Sequence, residues 1–230
     1  MKHSSLLRET GLTLLFLAIA TWLITVTNLD RALTAYFPVA GTWPVGDLPF
    51  WQFFYKIDRV PSFILGGCSL ALALYGCFKP AWASWKRRGL FLVVLLVIGP
   101  GILVNSVFKQ HWGRPRPREV VEFGGTKQFL HPWQKGISGK GRSFPSGHAS
   151  AAFYLSAPYF VYRRSNRRRA LAWLTGGLVF GILMSVARIT QGGHFLSDCL
   201  WAWGLVQLTA LLLSGLILPD SVDGDQPHPH

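Results

Sequence analysis

The run Gly89-Leu-Phe-Leu-Val-Val-Leu-Leu-Val-Ile-Gly-Pro-Gly-Ile-Leu-Val-Asn-Ser-Val-Phe108, continued by Lys109-Gln-His-Trp-Gly-Arg-Pro-Arg116-Pro117, decides the fold. The apolar part is long enough and apolar enough to cross a bilayer as one helix, which takes ~20 such residues. Gly99-Pro100-Gly101 inside it predicts a kink, because proline removes a backbone donor and crowds the preceding turn. Cations begin where the apolar run stops. A bilayer tolerates ionisable clusters only at its edges, inside protein or along a wet cavity, so a cluster placed there points to function.

Five more apolar runs flank this one, at about 8–28, 60–79, 146–163, 168–187 and 195–218. The run at 146–163 is the weakest by hydropathy and rests on a helix starting at Ser146, with Pro145 outside it. The reading is an all-α bundle of six transmembrane helices, forming one membrane-embedded domain over 1–218. The polar tail, 219–230, is expected to be disordered. The first run follows Lys2 and Arg8 like a signal peptide, yet Thr25-Val-Thr27 is a poor cleavage site and the chain behind it keeps spanning. Cys68, Cys77 and Cys199 lie within apolar runs and read as small packing residues.

Half of the residues are apolar while the net charge is +13. Such an excess of base would fit nucleic acid if it formed a stripe over polar helices. Here the bases are bunched between apolar runs, which fits a membrane protein better, and no nucleic-acid partner is expected. Lys79, Lys86, Arg87 and Arg88 fill one short connection, and Arg163, Arg164, Arg167, Arg168 and Arg169 another on the same side. The positive-inside rule makes that side cytoplasmic. The connection 109–145 faces the other way yet holds eight Lys/Arg against Glu119 and Glu122. An anion-binding site is a reason to break the rule. Segment 29–59, crowded with Trp43, Phe50, Trp51, Phe53, Phe54 and Tyr55, reads as an aromatic interfacial anchor, or as a short helix lying in the interface.

Three segments then fall on the outer face. In the first, Lys109 supplies a point charge and Arg116 a fork that can hold two phosphate oxygens. Arg114 and Arg118 add field, or contact anionic headgroups or a second acidic group. In the second, Pro145-Ser146-Gly147-His148 opens a helix. Ser146 is a cap, Gly147 allows close approach of the backbone, the helix end attracts an anion, and His148 can act as general acid. In the third, Arg188-Ile-Thr-Gln-Gly-Gly-His194-Phe-Leu-Ser-Asp198 puts His194 and Asp198 four apart. On a shared helix face the carboxylate would fix the imidazole tautomer and free the other nitrogen to attack. Each segment alone also has an ordinary reading: a basic loop, a plain N-cap, an interfacial histidine.

Together they resemble the type 2 phosphatidic acid phosphatase superfamily, which includes bacterial acid phosphatases and vanadium haloperoxidases. Its pattern is Lys-x6-Arg-Pro, Pro-Ser-Gly-His and Ser-Arg-x5-His-x3-Asp. The chain departs only at Ala187, where serine usually precedes the arginine. The resemblance implies a metal-independent lipid phosphate phosphatase that needs no cofactor. His194 would form a phosphohistidine, oriented by Asp198. His148 would protonate the leaving oxygen and later activate water. Lys109, Arg116, Ser146, Gly147 and Arg188 would hold the phosphoryl oxygens.

The substrate is then expected to be a lipid phosphate in a bacterial inner membrane, met from the periplasmic side. The run Trp112 to Arg118 followed by Glu122-Phe-Gly-Gly125 is similar to bacterial lipid A phosphatases of this superfamily. Undecaprenyl pyrophosphate, phosphatidylglycerophosphate and transfer of the phosphoryl group to another lipid remain open. So do two other classes. A transporter would place polar groups deep in several spans, and a silent lipid-binding protein would have lost some of the key positions.

Overall fold

A computed structural model describes residues 2–218; the expected disordered tail, 219–230, lies outside them. The architecture is helical. Among the described residues no strand forms, only isolated bridges between Val39 and Thr42 and between Val120 and Lys127. In chain order the helices are α1 (Lys2–Val26), α2 (Leu29–Thr34), α3 (Pro49–Ile57), α4 (Val60–Phe78), α5 (Ala83–Leu96), a π-helical stretch Val97–Phe108, α6 (Lys109–His111), α7 (Gly147–Tyr154), α8 (Pro158–Tyr162), α9 (Arg167–Thr190) and α10 (Leu196–Ile217).

Among the described residues, five helical segments are long and apolar enough to cross a membrane: Ser4–Val26, Pro49–Phe78, Ala83–His111, Arg167–Thr190 and Leu196–Ile217. Their outward faces confirm the solvent they are built for. Leu12, Leu15, Phe16 and Trp22 on α1, Phe63, Ile64 and Leu74 on α4, and Val179 and Ile182 on α9 all stand exposed. In water such a surface would aggregate; in lipid it is the ordinary boundary.

The weak run at 146–163 comes out as two short helices, α7 and α8, with a turn at Leu155–Ala157 between them. Nearly every residue of α7 is buried, and it packs on α9 and α10. Its low hydropathy follows from that place. A segment walled in by protein needs small residues rather than lipid-facing ones, and Ala149, Ser150, Ala151 and Ala152 supply them. Ser62 Oγ of α4 donates to the Ala151 carbonyl at 2.6 Å, and Tyr154 Oη to the Leu92 carbonyl at 3.0 Å, which locks this segment to α4 and α5.

The expected kink at Pro100 appears as a wide turn instead. Twelve residues, Val97–Phe108, wind as a π-helix. Proline cannot close the tighter ladder, and Asn105 Nδ2 reaches back to the Pro100 carbonyl at 2.7 Å to satisfy it. The turn delivers Lys109 to the same end of the bundle as the start of α7, the end of α9 and the start of α10. The basic turns at 79–88 and 163–169 lie at the opposite ends of these helices. The aromatic segment before residue 59 contains α2 and α3. Phe54 of α3 is buried against Ala152 and Met184, with Phe180 packed beside them.

Candidate active site

Ser143 is the tie between the three segments. Its N–H donates to the Arg114 carbonyl at 3.0 Å, its hydroxyl to Asp198 Oδ2 at 2.6 Å, and its carbonyl accepts from His194 Nδ1 at 2.7 Å. The next contact follows three residues on, where the Ser146 N–H donates to the Asp198 carbonyl at 3.1 Å. Lys109 meets the second segment at Gly147. A Cβ on that glycine would lie 2.5 Å from Asn105 Oδ1 and 3.0 Å from Lys109 Nζ, so only glycine leaves the ammonium beside the opening of α7. Ser146 caps α7, its hydroxyl accepting from the Ala149 N–H at 3.3 Å.

A carbonyl can only accept, so the bond to Ser143 places the proton of His194 on Nδ1 and leaves the lone pair on Nε2. Nε2 is buried and has no hydrogen-bond partner. Burial pushes the His194 pKa down to about 4, the Asp198 carboxylate pulling the other way. The imidazole is therefore neutral at physiological pH.

Asp198 does not grip this ring directly, as the four-residue spacing implied. His194 precedes α10, whose cap is Phe195, and its Nδ1 is 3.8 Å from Asp198 Oδ2. The carboxylate folds back over the helix start to accept from the Phe195 N–H at 2.8 Å. It thus fixes the turn that presents His194 and the serine that holds it.

Arg114 anchors that carboxylate from behind. It is fully buried. Nη1 lies 2.5 Å from Asp198 Oδ1 and 2.8 Å from Ser197 Oγ, Nη2 2.9 Å from Asp30 Oδ2, and Nε donates to the Leu130 carbonyl at 2.8 Å. The guanidinium lies over the Phe195 ring at 4.6 Å. Burial works against its charge, but Asp198 and Asp30 more than offset this and hold its pKa above the ordinary arginine value. Gly113, at φ 76°, makes the turn that sends Arg114 inward while Arg116 stays at the surface of the site.

His148, Arg116, Lys109 and Gly147 line a groove of about 750 Å³. Its far wall is Phe63, Leu96, Val97, Pro100 and Ile102, of which Phe63, Val97 and Ile102 are exposed on the apolar exterior. A second lobe of about 440 Å³ shares Arg116 and His148 and adds Arg118, Arg188 and Gln191. Arg188 is buried, with Nη1 hydrogen-bonded to Gln191 Oε1, its Nε unpartnered, and its guanidinium 4.8 Å above the Tyr55 ring. Burial, followed by the charge of Arg118, lowers the Arg116 pKa, with Glu119 pulling the other way. Among the described residues no group of three His, Cys, Asp or Glu could hold a metal ion.

All eight residues singled out by spacing thus gather at one end of the bundle. Ser143, Asp30 and Asp58 were missed. Ser143 stood just outside the motif, and the two aspartates sit in the aromatic connection. The one signal for them was a lone carboxylate beside an apolar run.

The sequence profile of the PAP2 superfamily matches residues 89–218. The lipid A 4'-phosphatase of Francisella tularensis subsp. novicida is 37% identical over 135 residues, 58% of this chain and 60% of that protein. The chain therefore spans about three fifths of that relative. The lipid A 4'-phosphatase of Rhizobium leguminosarum is 38% identical over 187 residues, 76% of each chain. Among solved structures, a transmembrane PAP2 type phosphatidylglycerolphosphate phosphatase from Bacillus subtilis superposes with a TM-score of 0.59 over 90% of this chain and 95% of its own, at 20% identity. That likeness speaks for the fold. The profile match, which covers both histidines together with Lys109, Arg116 and Arg188, places the chain in the PAP2 superfamily.

Proposed function

We propose that this protein is a metal-independent phosphatase of a membrane lipid, with lipid A as the favoured substrate. The carrying observation is the pair of buried, unpartnered imidazole nitrogens, His194 Nε2 and His148 Nδ1, behind a groove walled by cations on one side and exposed apolar residues on the other. His194 Nε2 attacks phosphorus and forms a phosphohistidine. His148 protonates the departing lipid oxygen, then takes a proton from the water that cleaves the P–N bond. Lys109, Arg116, Arg188 and the start of α7, with Ser146 and Gly147, hold the phosphoryl oxygens and offset the charge that grows on them. Three cations and a helix end supply there what a divalent ion supplies elsewhere.

The apolar wall favours a substrate held by its lipid part while its phosphate enters the polar end. The two relatives named lipid A 4'-phosphatase favour lipid A among such lipids. The test is a panel. Purified protein is offered lipid A, undecaprenyl pyrophosphate, phosphatidylglycerophosphate and phosphatidate, with EDTA present throughout. Fastest phosphate release from lipid A is the expected result. A preference for another lipid moves the assignment, and release that stops with EDTA and returns with a divalent ion defeats the mechanism. Phosphate that passes to a second lipid instead of water identifies a phosphotransferase sharing the first step.

The domain in this reading crosses a bacterial inner membrane six times, with α7–α8 as the protein-enclosed fourth crossing and the site on the periplasmic side. The basic turns at the far end support that orientation through the positive-inside rule. Cysteine at position 135 should label with an impermeant thiol reagent added outside the cytoplasm, and cysteine at position 166 should not. The opposite pattern inverts the topology.

A further inference from the structure

The polar contact that defines His148 comes from outside the three motif segments. His148 Nε2 lies 3.1 Å from Asp58 Oδ2. Asp58 stands at the joint between α3 and α4, where its Oδ1 accepts from the Arg59 N–H at 2.6 Å and its Oδ2 lies 3.3 Å from Arg59 Nε. Those bonds fix the carboxylate's direction. Tyr55, three residues earlier, sets its ring 5.6 Å from the His148 ring at 31°. The imidazole is thus oriented by a carboxylate on its edge and an aromatic face on its side, while Nδ1 remains buried and free.

The chemistry follows from that asymmetry. A carboxylate accepts, so Nε2 carries a proton in both charge states of His148. Nδ1 is then the nitrogen that titrates, and it is the one without a partner. The surroundings oppose an imidazolium. Lys109 and Arg116 come from the first segment, Arg188 and His194 from the third, and Arg59 from the cap position before α4. Asp58 is the counter-charge in contact with the ring.

We propose that Asp58 is the positioning residue of the acid–base histidine. It fixes the Nδ1-reactive tautomer and supports the imidazolium that precedes transfer, placing a carboxylate directly on His148, whereas Asp198 reaches His194 through Ser143. The proposal rests on the reading of His148 given under the proposed function. In the first step the His194 Nε2–P bond forms as the P–O bond to lipid breaks, and the Nδ1 proton of His148 goes to the lipid oxygen. His148 is left neutral, with its remaining proton directed at Asp58. In the second step water oxygen bonds to phosphorus as the P–N bond breaks, and the water proton returns to Nδ1. Atoms and charge balance over the cycle.

The test uses the full-length protein in detergent and the panel lipid with the highest wild-type turnover. Asp58→Asn keeps size and an acceptor oxygen but removes the charge. It is expected to lower kcat/KM about 10- to 100-fold. The alkaline limb of its pH profile should also move to lower pH by about one unit or more, because His148 loses the group that favours its charged form. In a His148→Ala background, Asp58→Asn should cost nothing further. Thermal unfolding of each variant separates these effects from misfolding, which would lower the amplitude of the profile without moving its limb. An unmoved limb, or an undiminished extra loss in the His148→Ala background, overturns the proposal. Full activity of His148→Ala alone instead sinks the general-acid reading and takes this inference with it.

Discussion

His194→Ala is expected to stop phosphate release, with a loss on the order of 10⁴-fold or more. The size follows from the role. Among the described residues, His194 Nε2 and His148 Nδ1 are the buried imidazole nitrogens without a hydrogen-bond partner, and with His148 kept as acid and base the loss of His194 closes the proposed covalent route. Ser143 keeps its bonds to Arg114 and Asp198, so the fold should survive, with only a modest loss from the vacated ring. Covalent labelling gives a second readout. Brief exposure to ³²P-labelled substrate should mark the wild type transiently and His194→Ala not at all. His148→Ala should retain its label longest, since the base that activates water is gone. Turnover within tenfold of wild type, or a label that persists in His194→Ala, would falsify the nucleophile assignment. With His194 held down to about 4, its lone pair stays available throughout the neutral range. The nucleophile is protonated, and activity lost on its account, only as pH falls through that value.

Arg114→Ala carries the largest expected loss of stability. The arginine is fully buried between Asp30 and Asp198, themselves 3% and 0% exposed. Truncating it strands two carboxylates in a medium that cannot solvate them, which costs about 3–5 kcal/mol. The thermal midpoint should fall by roughly 10 °C, and activity should go with it because Asp198 loses its fixed direction. Arg114→Lys should rescue little. One ammonium cannot reach Asp30, Asp198, Ser197 and the Leu130 carbonyl at once. Removing a stranded charge should help, so Arg114→Ala combined with Asp30→Asn is expected to melt above Arg114→Ala alone. A midpoint for Arg114→Ala within a degree or two of wild type contradicts the whole account of this network.

Much of this was legible before any coordinates. Apolar runs located four of the five long spans to within about six residues, because lipid enforces both length and composition; the second begins eleven residues before the expected 60, at Pro49. Motif spacing picked out the residues that gather at one end of the bundle, because cations, an N-cap and paired histidines have few other reasons to sit at helix ends. What stayed hidden was determined by contact across the chain. Arg114 and Arg116 are two residues apart and chemically alike, yet one is a buried strut and the other faces the groove. The choice lies in the backbone turn at Gly113 and in Asp30, 84 residues away. Asp58 offered still less, since nothing local pairs it with a histidine ninety residues on. The interrupted helix α7–α8 gave only a weak signal for the opposite reason: enclosed by protein, it lacks the greasy signature that made its neighbours plain.

Ser143 has one further consequence. It is bonded at once to residue 114 behind it and to residues 194 and 198 ahead, so the catalytic pocket has no partial form. A chain still entering the membrane, with α10 not yet docked, lacks the His194 donor and the Asp198 acceptor together, and with them the proposed nucleophile. Such a chain is chemically mute, and in refolding from denaturant the return of phosphate release should coincide with arrival of the last helix rather than with the earlier recovery of helicity.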